Sequence, residues 1–183
     1  IYAVEIREGD KLIEARVSTG ENDILIGTRD GKSIRFSEQQ IRPSGRKTMG
    51  VKGITLSSKD DRVVGMLLIK REGTTVLVAT EKGFGKRTDI SQYRAQKRGG
   101  KGVLTMKTTD KVGKMVTIKE VLDTDELMII TTQGVLIRQA VSKIRAIGRA
   151  TQGVKLINLD EGASVASITR IISDEEKKEE EQD

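Results

Sequence analysis

The sequence has 183 residues, of which 36% are apolar and 33% are charged, enough for one well-packed domain but short for two. It contains no cysteine and no histidine, so thiolate and imidazole metal sites, disulfides and Cys–His nucleophilic pairs are excluded. No apolar run approaches the roughly 20 residues of a membrane-spanning helix, and no charged-then-apolar leader opens the chain, so we expect a soluble protein.

Charge is distributed unevenly along the chain. The net charge is +6, but the segment from Ser173 carries seven acidic and two basic residues, which leaves residues 1–172 at +11. A body this basic favours a polyanionic partner. The tail 173–183 is too charged and too poor in apolar residues to pack, so we predict that it is disordered. It serves either as a tethered competitor for phosphate or as a solubility feature.

In chain order, three repeats follow an opening strand. IYAVEI, residues 1–6, is interpreted as the last strand of a preceding unit, cut from a longer polypeptide. Repeats of about 9–58, 59–112 and 113–159 follow, and 160–172, which contains ASVASITRI, is interpreted as the first strand of another unit. The segments ILIGTRDGKSIRF, VLVATEKGFGKRT and LMIITTQGVLIRQ superimpose without a gap at spacings of 52 and 51 residues.

Each repeat predicts a β-hairpin. Its two strand-like runs are joined by a dipeptide that ends in Gly31, Gly83 or Gly134, and glycine supplies the positive φ that a tight turn needs. The first run of each repeat is apolar on successive residues, so both of its faces should be covered. The segment Ile90–Tyr93 and its equivalents predict at most a short helical turn, with Tyr93 facing the core. A period of about 50 residues with four strands predicts an all-β, propeller-like fold, in which the two end strands could complete one blade of a closed ring.

One loop of each repeat carries the candidate binding site. Gln96-Lys97-Arg98-Gly99-Gly100-Lys101-Gly102 combines three cations with three glycines, whose lack of a Cβ allows close approach to a phosphate. Basic residues recur at the same place in the other two repeats, which predicts a positive belt around the edge of the ring. The predicted DNA-binding residues are Arg42, Arg46, Lys47, Lys52, Gln96, Lys97, Arg98, Gly99, Gly100, Lys101, Gly102, Arg145, Arg149 and Lys155. The alternative is a flexible connection whose charge only solvates it.

Three stretches carry a resemblance to a known family: RPSGRKTMGVKGI, EKGFGKRTDISQYRAQKRGGKG and IGRATQGVKLINLDEG. They resemble later blades of the β-pinwheel that forms the C-terminal domain of bacterial DNA gyrase A. Gln96 to Gly102 is similar to the gyrase A box, Q-R-R-G-G-[RK]-G, with Lys97 in place of the first arginine. In the family that box lies in the first blade, so the principal copy is expected upstream of Ile1.

The resemblance implies a module that wraps duplex DNA and supports ATP-dependent negative supercoiling by a type IIA topoisomerase. It implies gyrase B and a second copy of gyrase A as partners, no membrane, and a place in the bacterial cytoplasm, associated with the nucleoid. We expect no cofactor and no metal in this chain.

No catalytic activity is expected of the chain alone. Its only tyrosines are Tyr2 and Tyr93, interpreted as strand and core residues, and Gly31-Lys32-Ser33 lacks the first glycine of a phosphate-binding loop. The acidic residues Asp123, Asp125 and Glu126 are interpreted as turn and solubility residues. Two alternatives stay open: the C-terminal domain of the A-type protein of topoisomerase IV, and a protein-binding propeller.

Overall fold

The computed structural model describes residues 3–70 and 72–171, and within these ranges the fold is all-β, as predicted. Its strands are β1 Asp23–Thr28, β2 Lys32–Ser37, β3 Val63–Ile69, β4 Thr75–Thr80, β5 Phe84–Asp89, β6 Val103–Leu104, β7 Met115–Val121, β8 Glu126–Thr131, β9 Leu136–Ala140, β10 Val154–Lys155 and β11 Val165–Ile171. Single 3-10 turns lie at Glu38–Gln40, Ile90–Gln92 and Val141–Lys143. No helix among the described residues is long and apolar enough to cross a membrane.

The strands form three antiparallel sheets built on one plan. Their orders are β3-β1-β2-β6, β7-β4-β5-β10 and β11-β8-β9. In each sheet the first strand of a hairpin pairs with a seven-residue strand that comes later in the chain: β3, β7 or β11. The fourth strand of the first two sheets comes from the next repeat, so consecutive repeats are joined by exchanged strands. These three sheets are hereafter called blades.

The hairpin turns match the sequence prediction. Gly31, Gly83 and Gly134 have φ values of 85°, 78° and 82°, the left-handed conformation that glycine adopts without steric cost. The prediction that both strand faces are covered holds for β4, of which five consecutive residues are buried, whereas burial alternates along β8. The difference arises because β4 is packed between two described blades and β8 lies in the last one.

Three apolar clusters form the core. One contains Leu25 and Leu67 of the first blade with Val78 and Ile118 of the second, and Tyr93, which is fully buried as predicted, packs in it. A second joins the β4–β7 side of the middle blade to the third blade, and the remaining cluster packs on the first blade. Strand β7 packs between β3 and β11, so the inner strands gather together and β6 and β10 lie at the opposite, outer edges of their sheets.

Several repeat boundaries predicted from the sequence differ in the structure, because strands are exchanged between repeats. Residues 3–6 of the IYAVEI segment form no strand. The segment 163–171 does not begin another blade, because β11 pairs with β8 and supplies the inner strand of the third sheet. For the same reason β3, assigned from sequence to the second repeat, belongs to the first blade. The proposed closure of one blade by the two end strands is therefore wrong. The predicted disordered tail, 173–183, lies outside the described residues.

Candidate nucleic-acid interface

Three equivalent segments, one in each repeat, are strongly basic, and two of them contain the outer strands β6 and β10. We call residues 41–56, 90–109 and 141–159 together the basic belt. They contain thirteen basic residues and no acidic residue, whereas the whole chain has 33 basic and 27 acidic residues. Because β6 and β10 are the outermost strands of their sheets, the second and third segments follow the outer edges of the first two blades. Such a concentration of one sign of charge creates a field that attracts polyanions.

Neighbouring segments of the belt are in direct contact. Gly99 donates its backbone N–H to the carbonyl of Gly53 at 2.8 Å, and Thr55 donates to the carbonyl of Gly100 at 2.8 Å. At the next junction Lys107 donates its backbone N–H to the carbonyl of Thr151 at 2.9 Å. The three loops therefore form one continuous surface, not three separate basic patches.

Two of the predicted phosphate ligands hold this surface together. The Arg98 guanidinium donates to the carbonyl of Lys52 at 2.5 Å, and Arg149 repeats the contact with the carbonyl of Leu104 at 2.8 Å. The backbone N–H of each arginine also donates to a glutamine of the preceding blade, Gln40 for Arg98 and its register equivalent for Arg149. Both arginines are half-buried. The Arg98 guanidinium also donates to the carbonyl of Gln40 at 3.3 Å, whereas the Nε of Arg149 is buried without a hydrogen-bond partner.

The remaining predicted cations are exposed. They are Arg42, Arg46, Lys47, Lys52, Lys97, Lys101, Arg145 and Lys155, and none of them forms an ion pair with another described residue. Lys155 extends over the ring of Phe84, with 5.9 Å between its ammonium and the ring centroid. Lys47 is the one non-glycine residue with positive φ among the described residues, at 61°, and it occupies the register position of Gly99, whose φ is 82°.

Three exposed cations of the belt were missed from the sequence, and one of them, Lys143, has glutamine at its position in the other two repeats. Arg94 lies at the register position shared by Arg42 and Arg145, so the 52- and 51-residue spacing could have identified it. Lys107 follows the second loop and is exposed, but lysine recurs at its position in neither of the other repeats. No repeat signal marks it.

The glycines of the second loop differ in what they do. A Cβ on Gly102 would lie 2.3 Å from the carbonyl oxygen of Ser33, and its equivalent, Gly153, would meet the carbonyl of Gly85 at 2.5 Å. Both glycines lie directly before an exchanged strand, where the chain comes close to the edge strand of the preceding blade. Gly99 and Gly100 lack such a clash, since a Cβ there would make only ordinary contacts at 3.4 to 3.5 Å. Gln96 is half-buried and donates its backbone N–H to the carbonyl of Arg35 at 2.8 Å.

The acidic residues considered in the sequence lie apart from the belt. Asp123 pairs with Arg87, Glu126 pairs with Arg138, and Asp125 accepts the backbone N–H of Leu122 at 2.8 Å. No group of acidic side chains suited to a metal ion occurs among the described residues.

Repeated antiparallel sheets with their inner strands together and their outer edges exposed define a propeller-like repeat protein. A family model described as the DNA gyrase C-terminal domain, beta-propeller, matches residues 22–70, 74–121 and 125–171. The chain therefore belongs to the DNA gyrase C-terminal domain family, which confirms the resemblance found in the sequence.

Two curated relatives are the DNA gyrase A proteins of Staphylococcus epidermidis and Staphylococcus aureus, each 45% identical to this chain. The matches cover 92% and 95% of this chain, which spans about a fifth of the relatives' length. A solved structure of a DNA gyrase A C-terminal domain is 25% identical, has a TM-score of 0.85, and matches 93% of this chain and 57% of its own. The C-terminal domain of a DNA topoisomerase IV shares the fold with a TM-score of 0.86 at 21% identity, over 92% of this chain and 52% of its own.

Proposed function

We propose that the basic belt binds the phosphate backbone of duplex DNA and bends the duplex around the outer edge of the blades. The observation that carries the proposal is the continuity of the belt, in which thirteen cations and no acid lie on three hydrogen-bonded loops. Smooth bending of a duplex over 20–30 base pairs costs on the order of 1–6 kcal/mol, so it must be offset by contacts spread along an arc. One basic loop per blade supplies contacts in that arrangement.

The binding is expected to be nearly independent of DNA sequence. The exposed belt residues are lysines and arginines, which form point contacts with phosphates. Among the candidate residues Gln96 is the only amide side chain, and aromatic residues are few. Reading of base edges in the major groove needs amide or bidentate arginine contacts held at defined positions, and the belt offers few of them.

We propose further that the chain is part of a DNA gyrase A protein and supports ATP-dependent negative supercoiling by the assembled enzyme. The 45% identity to DNA gyrase A proteins supports this assignment. Gyrase B and a second copy of gyrase A are the proposed partners, and strand cleavage and ATP hydrolysis are assigned to other parts of that enzyme. The topoisomerase IV alternative rests on the shared fold, and the gyrase relatives favour the first assignment.

The test of DNA binding is a gel-shift titration of the chain with linear duplexes of increasing length at two salt concentrations. We expect affinity that rises with duplex length up to the span of the belt, weakens steeply with salt, and differs little between unrelated duplexes of equal length. Salt-independent binding, or strong discrimination between such duplexes, would contradict the proposal. Binding of a protein ligand without DNA affinity would favour the protein-binding propeller instead.

A further inference from the structure

Lys86 is a lysine in an unusual position. It lies in β5, its side chain is fully buried, and its register equivalents in the other two blades are Ile34 and Ile137. Burial of a cation without a carboxylate partner is costly. The second repeat therefore carries an energetic cost at a position where the other two repeats have isoleucine. The neighbouring loop accounts for the replacement.

The Lys86 ammonium lies directly beneath the third loop of the belt. It donates to the carbonyl of Gly148 at 2.7 Å, to the carbonyl of Arg149, and to the hydroxyl of Thr151 at 3.1 Å. An ammonium has three donors and no acceptor, so all of its hydrogen-bonding capacity is directed at this one loop. The Thr151 carbonyl in turn accepts the N–H of Lys107, which links the loop to the preceding segment of the belt.

The equivalent place in the first blade is built differently. There Ile34 lies beneath the second loop, where a Cβ on Gly100 would be 3.5 Å from the Ile34 side chain. That loop is held by Gly53 and Thr55 of the preceding segment, with the Thr55 hydroxyl donating to the carbonyl of Gly99 at 2.7 Å. The third loop has no glycine between Arg149 and Gln152, and a buried ammonium holds its carbonyls instead.

We propose that Lys86 is a positioning residue for DNA binding: it holds the loop from Gly148 to Thr151 so that Arg149 keeps its contact with the Leu104 carbonyl and the exposed cations of this segment, Arg145 and Lys155, keep their places on the belt. This inference rests on the proposed DNA-binding function. Lys86 touches no phosphate itself. Without its ammonium, the carbonyl of Arg149 loses its donor and that of Gly148 keeps only the Thr151 hydroxyl, at 3.0 Å, so the loop that carries this section of the belt loosens.

Protonation of Lys86 should make the DNA affinity depend on pH. Burial, followed by the neighbouring Arg149 charge, lowers the pKa of Lys86 to about 8. The positive charge of Arg149 repels the Lys86 ammonium. Phosphates drawn onto the loop favour the charged form and raise that pKa, so DNA binding takes up a proton. Affinity should therefore fall as the pH rises through about 8, and the fall should depend on Lys86.

The experiment compares Lys86→Met, which preserves the length of the side chain without its donors, with Lys59→Met, which removes the same charge at an exposed site outside the belt. Amide hydrogen exchange without DNA should show faster exchange at residues 148–155 in Lys86→Met only, with 97–104 unchanged. Its log–log salt slope should decrease in magnitude by roughly 1 to 2, at ~0.9 per phosphate contact. Its affinity should not fall between pH 7 and 9 as that of the wild type does.

Unchanged exchange at 148–155 in Lys86→Met overturns the positioning role, and so does a salt slope and pH profile equal to those of Lys59→Met. If Lys86→Met does not fold, Lys86→Ile, which introduces the residue of the first and third blades, takes its place. The pH profile of the wild type needs no variant, and a flat profile from pH 7 to 9 counts against the proposal. A wild type without DNA affinity overturns the proposed function, whereas the exchange comparison, made without DNA, tests the loop contact separately.

Discussion

At the scale of single residues, the cations of the belt perform two different tasks. Lys97 and Lys101 are exposed on the second loop, whereas the guanidinium of Arg98, between them in sequence, bonds the carbonyl of Lys52. Sequence alone presents the three as equivalent ligands of phosphate. The structure separates residues that project charge from a residue that joins two blades.

This distinction predicts different outcomes for two variants. Replacing Lys97 and Lys101 together by alanine should lower the magnitude of the log–log salt slope by about 2, at ~0.9 per contact, and change the free energy of unfolding by less than about 0.5 kcal/mol. Arg98→Ala should cost about 0.5–1.5 kcal/mol of stability, because it removes the hydrogen bonds from the Arg98 guanidinium to the carbonyls of Gln40 and Lys52. Salt titration and denaturant unfolding measure the two effects. Equal stability losses in both variants would contradict the assignment.

The burial of Tyr93 predicts how the stability of the fold changes at high pH. Burial raises its pKa to about 12, above the ordinary value of 10. A raised pKa in the folded state means that the stability contribution is complete below pH 10 and is lost as the pH rises to 12, by up to roughly 2.7 kcal/mol. The wild type should therefore lose stability relative to Tyr93→Phe across this window. Parallel stability curves of the two proteins from pH 9 to 12 would show that Tyr93 does not titrate as its burial implies.

At the scale of strands, an equivalent glycine precedes the exchanged strand β6 and stands in the first segment of the belt, where no strand forms. Gly50 and Gly102 have positive φ, 73° and 68°, and occupy equivalent positions. A Cβ would clash with the Ser33 carbonyl at Gly102, but it would meet nothing within 4 Å at Gly50. The two positions therefore separate backbone strain from steric exclusion.

Alanine at each position provides a matched pair. Gly50→Ala should cost about 1–2 kcal/mol, from the left-handed backbone alone. Gly102→Ala carries the same strain and must also displace β6 from β2, which adds typically 1–3 kcal/mol. Thermal or denaturant unfolding of the two variants measures the difference. Equal losses would indicate that β6 does not dock against β2 as the structure has it.

The hairpins were predictable from sequence because their signals are local. An apolar run precedes each of Gly31, Gly83 and Gly134 and a second strand-like run follows it, and the turn chemistry needs no distant partner. Strand exchange was not predictable, since β6 and β10 have two residues each and carry no periodic pattern. Pairing of β3 with β1 is a property of topology, not of composition. The belt was predictable from its spacing, whereas the Arg98 contacts and the Lys86 ammonium depend on which loop lies over which sheet.

At the scale of the whole molecule, exchanged strands explain how a row of loops becomes one surface. The first two blades take their outer strands from the next repeat, so the second and third loops are fixed to the blade before them. A duplex that follows the belt would meet cations at a regular spacing on a relatively rigid curve. This is the arrangement that offsets the cost of bending along its whole length.

The most direct test of the belt compares two triple alanine variants that remove the same charge. One replaces Arg46, Lys97 and Arg145, an exposed cation from each loop, and the other replaces Lys11, Lys59 and Lys111, which are exposed outside the belt. The measurement is the salt dependence of affinity for one duplex that spans all three loops. The belt variant should lower the magnitude of the log–log slope by roughly 2 to 3, at ~0.9 per contact, and the control should leave it nearly unchanged. Equal slopes for the two variants would place the DNA elsewhere.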